Sequence, residues 1–244
     1  MPELTITSFN SHWGRGAKRR DWPAFDVTAT CAAFEADVIV LQESWAPDGG
    51  RAQHEAVADE LGMRCVAVPM ARARMDPRPR IIARAQEGER RGSGDCCLAL
   101  LSRKPIRTTR VLPLPRPLPW DPWSRVLLHA EIDVDGTNLT LVATHFAHLE
   151  QGAILQTRAL RKGLPPTDRA AAFVGDMNMW GWTMDVMAPK GWRRTVRGKT
   201  WPAWRPQHQI DHLLVTPSVE VVHAEVLPDQ GSDHRPIRAR LRVT

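Results

Sequence analysis

Residues 230–237 read Gln230-Gly231-Ser232-Asp233-His234-Arg235-Pro236-Ile237. A carboxylate and an imidazole stand side by side there, just ahead of a last apolar run from Ile237 to Val243. Upstream, four more acid or amide positions border apolar runs. Asn10 follows Leu4 to Phe9, Glu43 follows Asp37 to Leu41, Asp176 and Asn178 follow Ala170 to Val174, and Asp211 lies in Ile210 to Val215. Short apolar runs bounded by turn residues read as buried strands. Carboxylates and amides gathered from many strand ends are what a hard divalent cation and a phosphate ester require.

The remaining pattern is that of an α/β protein with hairpins. Strands are expected over Arg64 to Pro69 and Val219 to Val226, and over Cys96 to Ser102 and Ile106 to Leu112 around Arg103-Lys104-Pro105. Arg125 to Val134 and Asn138 to Thr144 flank Asp135-Gly136, a hairpin signal that favours antiparallel pairing. Helical spacing predicts helices over Asp21 to Glu35, with Asp21 as cap, over Arg51 to Leu61, stopped by Gly62, and over Leu149 to Lys162. Residues 71–94 are basic and broken by proline and glycine, so they read as an exposed loop. Arg78, Arg80 and Arg84 in that loop are candidates to track a phosphate backbone. Pro113 to Pro122 is a proline-rich excursion carrying Trp120. No repeat or linker interrupts the chain, so residues 1–244 are expected to form one domain.

Composition narrows the class. The chain has 244 residues, 43% hydrophobic, with a formal net charge of +6, enough for a substantial core and a basic surface. No apolar run is long enough to span a bilayer, so no stable membrane insertion is expected. Met1-Pro2-Glu3-Leu4-Thr5-Ile6 reads as a first strand rather than a signal peptide, and the expected location is the cytoplasm. Cys31, Cys65, Cys96 and Cys97 form no zinc or disulfide spacing and read as buried thiols. The basic residues are mostly arginine, suited to bidentate phosphate contact, although a GC-rich genome would give the same bias.

Each candidate residue has a chemical reading and a plainer one. Asp176 and Asn178 lie two apart, so in extended backbone they share a side. They could hold a water and a phosphate oxygen, or simply form a turn. Glu43 could bind magnesium or merely start a loop, and Asn10 could supply a neutral oxygen ligand or close a strand. His145, after Leu139 to Thr144, could donate to a phosphate oxygen. His148 reads as the polar start of a helix. Asp211 could fix the tautomer of His234, and the pair could act as base or phosphate contact. His212 should face the other way and be structural. Arg125 could reach a phosphate, though its position suits a surface arginine at a strand edge. The ten tryptophans include Trp13, Trp45, Trp180, Trp182, Trp201 and Trp204 near the expected mouth. Of these, Trp180, Trp182, Trp201 and Trp204 are the candidates for substrate contact, through base stacking or lipid headgroups.

Together these segments resemble the exonuclease–endonuclease–phosphatase superfamily, the DNase-like metal-dependent phosphoesterases. The resemblance runs through Thr7-Ser8-Phe9-Asn10, Leu41-Gln42-Glu43, Leu100 to Ile106, Thr144-His145-Phe146, Gly175-Asp176-Met177-Asn178, Ile210-Asp211-His212 and Ser232-Asp233-His234. It implies a four-layer α/β sandwich: two mainly antiparallel β-sheets packed face to face, helices on the outside, and the site at one end. It implies Mg²⁺ or Mn²⁺ held chiefly by Glu43, with Asn10 and Asp233 nearby. It gives Asp176 the attacking water, Asn178 and His145 the phosphate, and His234, oriented by Asp211, either the scissile phosphate or the role of base. Two departures stand out. Many DNA-repair members carry an acidic residue where this chain has His12, and the tyrosine some members place near the phosphate has no counterpart, because the chain has none.

The leading expectation is a nuclease or phosphodiesterase acting on nucleic acid. The alternatives are a phosphatase or phosphodiesterase of lipid or small phosphorylated molecules, and a catalytically silent nucleic-acid-binding module. No protein partner is expected.

Overall fold

The computed structural model describes residues 1–16, 24–75, 80–81, 92–117 and 121–244. In chain order the elements are β1 (Glu3–Asn10), α1 (Val27–Ala32), β2 (Val38–Pro47), α2 (Gln53–Leu61), β3 (Arg64–Arg74), β4 (Arg80–Ile81), β5 (Ser93–Ser102), β6 (Ile106–Pro113), β7 (Val126–Val134) and β8 (Thr137–His145). They continue as α3 (Glu150–Gly163), β9 (Ala171–Asp176), α4 (Gly181–Met187), β10 (Arg193–Arg194), β11 (Asp211–Val215), β12 (Val219–Val226) and β13 (Ile237–Val243).

The strands form two sheets, in the orders β12-β13-β1-β2-β5-β3-β4 and β10-β11-β9-β8-β7-β6. Pairing is antiparallel except at β1–β2 and β8–β9. The sequence explains the layering. Side chains alternate across a strand, so a run that is apolar at every position must be covered on both faces. In β2, Val38 and Val40 enter the core between the sheets, while Ile39 and Leu41 face outward against Val27 and Cys31 of α1 and Val57 of α2. In the second sheet Leu141, Ala143, Ala172 and Val174 face the central core, while Val142, Phe173 and Leu214 pack outward with Ala153 and Leu160 of α3 and Met184 of α4. The four layers expected from the sequence are therefore present.

β13 differs because apolar and arginine positions alternate along it. Ile237, Ala239, Leu241 and Val243 point inward, and Arg238 and Arg242 pair outward with Glu225, Glu3 and Glu220 at 2.7–2.8 Å. Half-exposed pairs of this kind add little stability each, but they keep this face of the strand wet.

Several boundaries differ from expectation. α1 is shorter than predicted, and Asp26 caps it by accepting from the backbone N–H of Thr28 and Ala29. The expected cap Asp21 lies outside the described residues. β2 does not stop at Leu41 but runs through Glu43 to Pro47. The stretch 71–94 is not all loop, since β3 continues to Arg74 and β5 starts at Ser93. Arg78 and Arg84 fall outside the described residues, as does Trp120. The turn at Asp135 (φ 51°) and Gly136 (φ 92°) has the paired positive angles of a tight hairpin. No described helix is long and apolar enough to cross a membrane.

Candidate active site

Strand direction and register bring the distant residues to one edge. β8 and β9 run parallel and both end there, with His145 opposite Asp176. β11 runs antiparallel and begins there, with Asp211 opposite Asp176 on its other side. Directly opposed residues share a face, so the three side chains form one row. In the facing sheet β1 ends at Asn10, and β13 begins at Ile237 beside Ser8. The 232–234 turn reaches the same edge, held by the Ser232 hydroxyl donating to the Asn10 carbonyl at 2.7 Å.

Two local backbone devices complete the arrangement. Glu43 sits at a bulge where the β2–β5 register shifts between Leu41 and Ser44, and its φ is +54°. A bulge breaks the strict alternation and re-aims a side chain, here into the site. Gly175 has φ +151°, and a Cβ there would lie 2.0 Å from the Thr144 carbonyl oxygen. Only glycine lets β9 approach β8 this closely just before Asp176.

The contacts converge on one oxygen, Asp176 Oδ2. Asn10 Nδ2 donates to it at 2.9 Å, while His145 Nε2 lies 3.5 Å and His234 Nε2 3.7 Å away. Asp176 Oδ1 accepts from the Asn178 backbone N–H at 3.0 Å. Glu43 Oε1 is 3.5 Å from Asn10 Nδ2 and 3.8 Å from His145 Nε2. His234 Nδ1 lies 3.0 Å from Asp211 Oδ2. Asp233 stands slightly apart, with Oδ1 3.4 Å from His12 Nδ1 and Oδ2 accepting from Trp201 Nε1 at 3.4 Å. Asn178 turns its Nδ2 to the Phe146 carbonyl at 3.1 Å, so one amide hydrogen is already committed to backbone.

Burial and charge set the protonation states. Burial raises Asp176, with Asp211 adding to the effect and His234, Asn10 and Asn178 opposing it. Burial also raises Glu43, and Asp233 adds repulsion; the side chain keeps 16% of its surface, so water moderates the effect. Burial and the nearby Arg125 hold His145 well below the usual imidazole range. Burial alone would disfavour a charged His234, but Asp211, Asp176 and Asp233 together raise it well above that range. The site thus pairs a neutral imidazole with a protonated one across a single carboxylate. His212 lies on the opposite face and bonds the Met179 carbonyl through Nε2 at 2.8 Å, in keeping with a structural role.

The substrate-contact candidates divide. Trp180, Trp182, Trp201 and Trp204 are 40%, 64%, 37% and 41% exposed. Trp13 is instead buried. Arg125 is not a surface residue, because it is only 4% exposed. Its guanidinium stacks 4.4 Å over Trp123, its Nη1 donates to the His145 carbonyl at 3.4 Å, and Asp121 Oδ2 stands 3.7 Å from its Nε. Burial lowers its pKa to about 10, while Asp121, Glu43 and Asp176 pull the other way. Trp123 meets the His145 ring edge-on at 5.3 Å. Sequence reasoning missed this support behind His145. The four-residue spacing of Asp121 and Arg125 was the available hint, but only folding shows that both are buried.

A divalent cation suits the donor set. Glu43, Asp233, Asp176 and the side-chain Oδ1 of Asn10 are hard oxygen donors, and a cation would offset both the burial that raises Glu43 and the repulsion Asp233 adds to it. Among the described residues, Asp176, Asp211 and His234 bring one possible ligand atom each within 4.8 Å of one another. There His234 Nδ1 and Asp211 Oδ2 already face one another, so that group reads better as a proton relay than as a cation cage.

Over residues 8–234 the sequence matches the family described as Endonuclease/Exonuclease/phosphatase family. No curated protein matches it. Similar solved structures include an endonuclease/exonuclease/phosphatase from Beutenbergia cavernae, 21% identical with a TM-score of 0.74, covering 100% of this chain and 72% of that one. A mannosyl-6-phosphatase from Bacteroides thetaiotaomicron is 18% identical with a TM-score of 0.69, covering 98% and 99%. The catalytic domain of human Nocturnin is 15% identical with a TM-score of 0.68, covering 100% and 94%. At such identities the likeness establishes the fold.

Proposed function

The chain belongs to the Endonuclease/Exonuclease/phosphatase family, and from that premise we propose that it is a metal-dependent phosphodiesterase acting on nucleic acid. The observation that carries the reading is the convergence of Asn10, His145 and His234 on Asp176 Oδ2, with Asp211 behind His234. Binding alone needs no such set.

Glu43, Asn10 and Asp233 would hold Mg²⁺ or Mn²⁺, which supplies polarisation of a phosphoryl oxygen and charge near the leaving oxygen. Asp176 takes the proton of the attacking water. Its raised pKa matches it to that task better than an ordinary aspartate. His234, kept protonated by Asp211, donates to the phosphate instead of acting as base. Neutral His145 donates through Nε2, the nitrogen that faces Asp176, and the second amide hydrogen of Asn178 is free to do the same. The exposed tryptophans around a basic protein favour nucleic acid over a lone phosphate monoester. Phosphorylated lipids or small molecules are the alternative substrates, since the same residues would serve them. The four cysteines are free thiols, which supports a reducing compartment such as the cytoplasm.

The test is a substrate panel with Mg²⁺ or Mn²⁺: single- and double-stranded DNA, RNA, a phospholipid and an aryl phosphodiester, each against His234→Ala. Cleavage of DNA or RNA that the variant loses is the expected result. Turnover of lipid or small phosphates alone moves the substrate class, and nucleic-acid binding without turnover of anything overturns the enzymatic reading.

A further inference from the structure

Two residues along the chain from Asn178 begins a shallow, open groove of about 600 Å³ whose lining includes Trp180, Trp182, His208, Gln207, Arg197 and Lys199. We infer that this groove seats a neighbouring unit of single-stranded nucleic acid, with an unpaired base against the Trp180–Trp182 surface and the flanking backbone phosphate against Arg197 and Lys199. This rests on the nuclease reading above.

The groove is a built structure. Trp180 and His208 stack in parallel, 4.7 Å apart with an interplanar angle of 7°. Trp182 meets Trp180 at 62°, 6.3 Å away, and leaves 64% of its surface in water. Exposed indoles are hydrophobic surface that a monomer has reason to cover, and two of them share this wall. The stack joins two segments that both carry site residues. Trp180 follows Asn178 by two positions, and its backbone N–H donates to Glu150 at 3.1 Å. His208 closes a small loop by backbone hydrogen bonds to Trp201, whose indole reaches Asp233. Beneath them Arg194 is locked by Asp185 at 2.6 and 3.0 Å and by Gln209 at 2.7 Å. The aromatic faces are therefore held before any ligand arrives, and binding spends little entropy ordering them.

The chemistry of the wall selects the ligand. Flat aromatic faces beside exposed cations bind stacked bases and their phosphates. The bases of a duplex already stack on one another, so an unpaired strand fits and a duplex does not. A membrane headgroup surface would also take protruding indoles, but here they stand over the charged and polar Asp185–Arg194–Gln209 network, which suits a polar, phosphate-bearing strand better than acyl chains.

The experiment measures binding of a fluorescein-labelled single-stranded deoxythymidine decamer by anisotropy in EDTA. It also measures kcat/KM for the decamer and for bis(p-nitrophenyl) phosphate with Mn²⁺. Trp182→Ala should weaken the decamer Kd about tenfold, and Trp182→Phe should recover most of that loss. The ratio of decamer to aryl-diester kcat/KM should fall with it. Lys199→Ala should flatten the plot of log Kd against log salt by roughly 0.7, and Arg197→Ala by less, because its guanidinium already donates to Asp185 at 2.9 Å. Thermal melting checks that each variant is folded. No saturable binding of the decamer by the native protein overturns the inference. So does a decamer Kd that Trp182→Ala leaves unchanged, including the case where that variant loses only binding to phosphatidylglycerol vesicles. Decamer binding that follows the groove variants, with no cleavage under any metal, keeps the groove and overturns the nuclease reading. Cleavage with groove-independent binding does the reverse.

Discussion

Asp211 and His234, 23 residues apart in sequence, meet at 3.0 Å through Oδ2 and Nδ1, and this contact turns the other imidazole nitrogen toward Asp176. The carboxylate fixes the tautomer and favours the imidazolium. Asp211→Asn is therefore predicted to lower kcat/KM roughly a hundredfold and to shift the alkaline limb of its pH profile to lower pH. The sign follows from the raised folded-state pKa of His234. The pair stabilises the fold fully below the unfolded histidine value near 6.5, and that stability is lost as pH rises through the higher folded value. A pH–rate profile of the variant that overlays the native one contradicts this.

Gly175→Ala is predicted to destabilise the protein by about 3 kcal/mol, because the added methyl would meet the Thr144 carbonyl and φ is unfavourable for alanine. Denaturant unfolding measures it. A change below about 0.5 kcal/mol would mean that β9 can shift away from β8 without strain.

Gln53 ties together the two left-handed backbone segments beside Glu43. Its Oε1 accepts from the Trp45 N–H at 2.9 Å, and its Nε2 donates to the Trp13 carbonyl at 3.0 Å. Trp13 (φ 59°) and Glu43 (φ 54°) both hold conformations that cost non-glycine residues free energy. Gln53→Ala should weaken Mn²⁺ binding, read by titration calorimetry, at least tenfold, as loss of a ligand-orienting contact commonly does. Unchanged affinity would show that the bulge holds itself.

The four thiols should be slow to react in the folded protein. Burial raises Cys31 and Cys97 to about 12 and Cys65 to about 11, and burial also raises Cys96. At pH 8 a disulfide reagent should label the half-buried Cys65 first and the other three only on unfolding. Rapid labelling of all four in native buffer would contradict this packing.

The sequence carried much of this because continuous apolar runs force two-sided burial, and their ends are visible as the first polar residue. Asp176 was placed that way, whereas Asn10 was placed by the end of a run that Thr5, Thr7 and Ser8 interrupt. What it did not carry depends on local angles or distant partners. Glu43 was visible as a carboxylate, but the bulge that aims it was not, since nothing in Leu41-Gln42-Glu43-Ser44 demands φ +54°. α4 begins at Gly181 and lasts seven residues, too short for helical periodicity to declare itself. Arg125 read as a surface charge because its burial exists only once Asp121 and Trp123 close around it. The contacts of Asp233 to His12 and Trp201 span 221 and 32 residues and arise from tertiary structure alone.

The most direct test is the initial rate of Mn²⁺-dependent phosphodiester cleavage by Asp176→Asn against the native protein, at matched folded fraction. If Asp176 receives the water's proton, the variant should lose about a thousandfold in kcat/KM while keeping its thermal unfolding cooperative. Cleavage within a few-fold of native would place the chemistry elsewhere in the molecule.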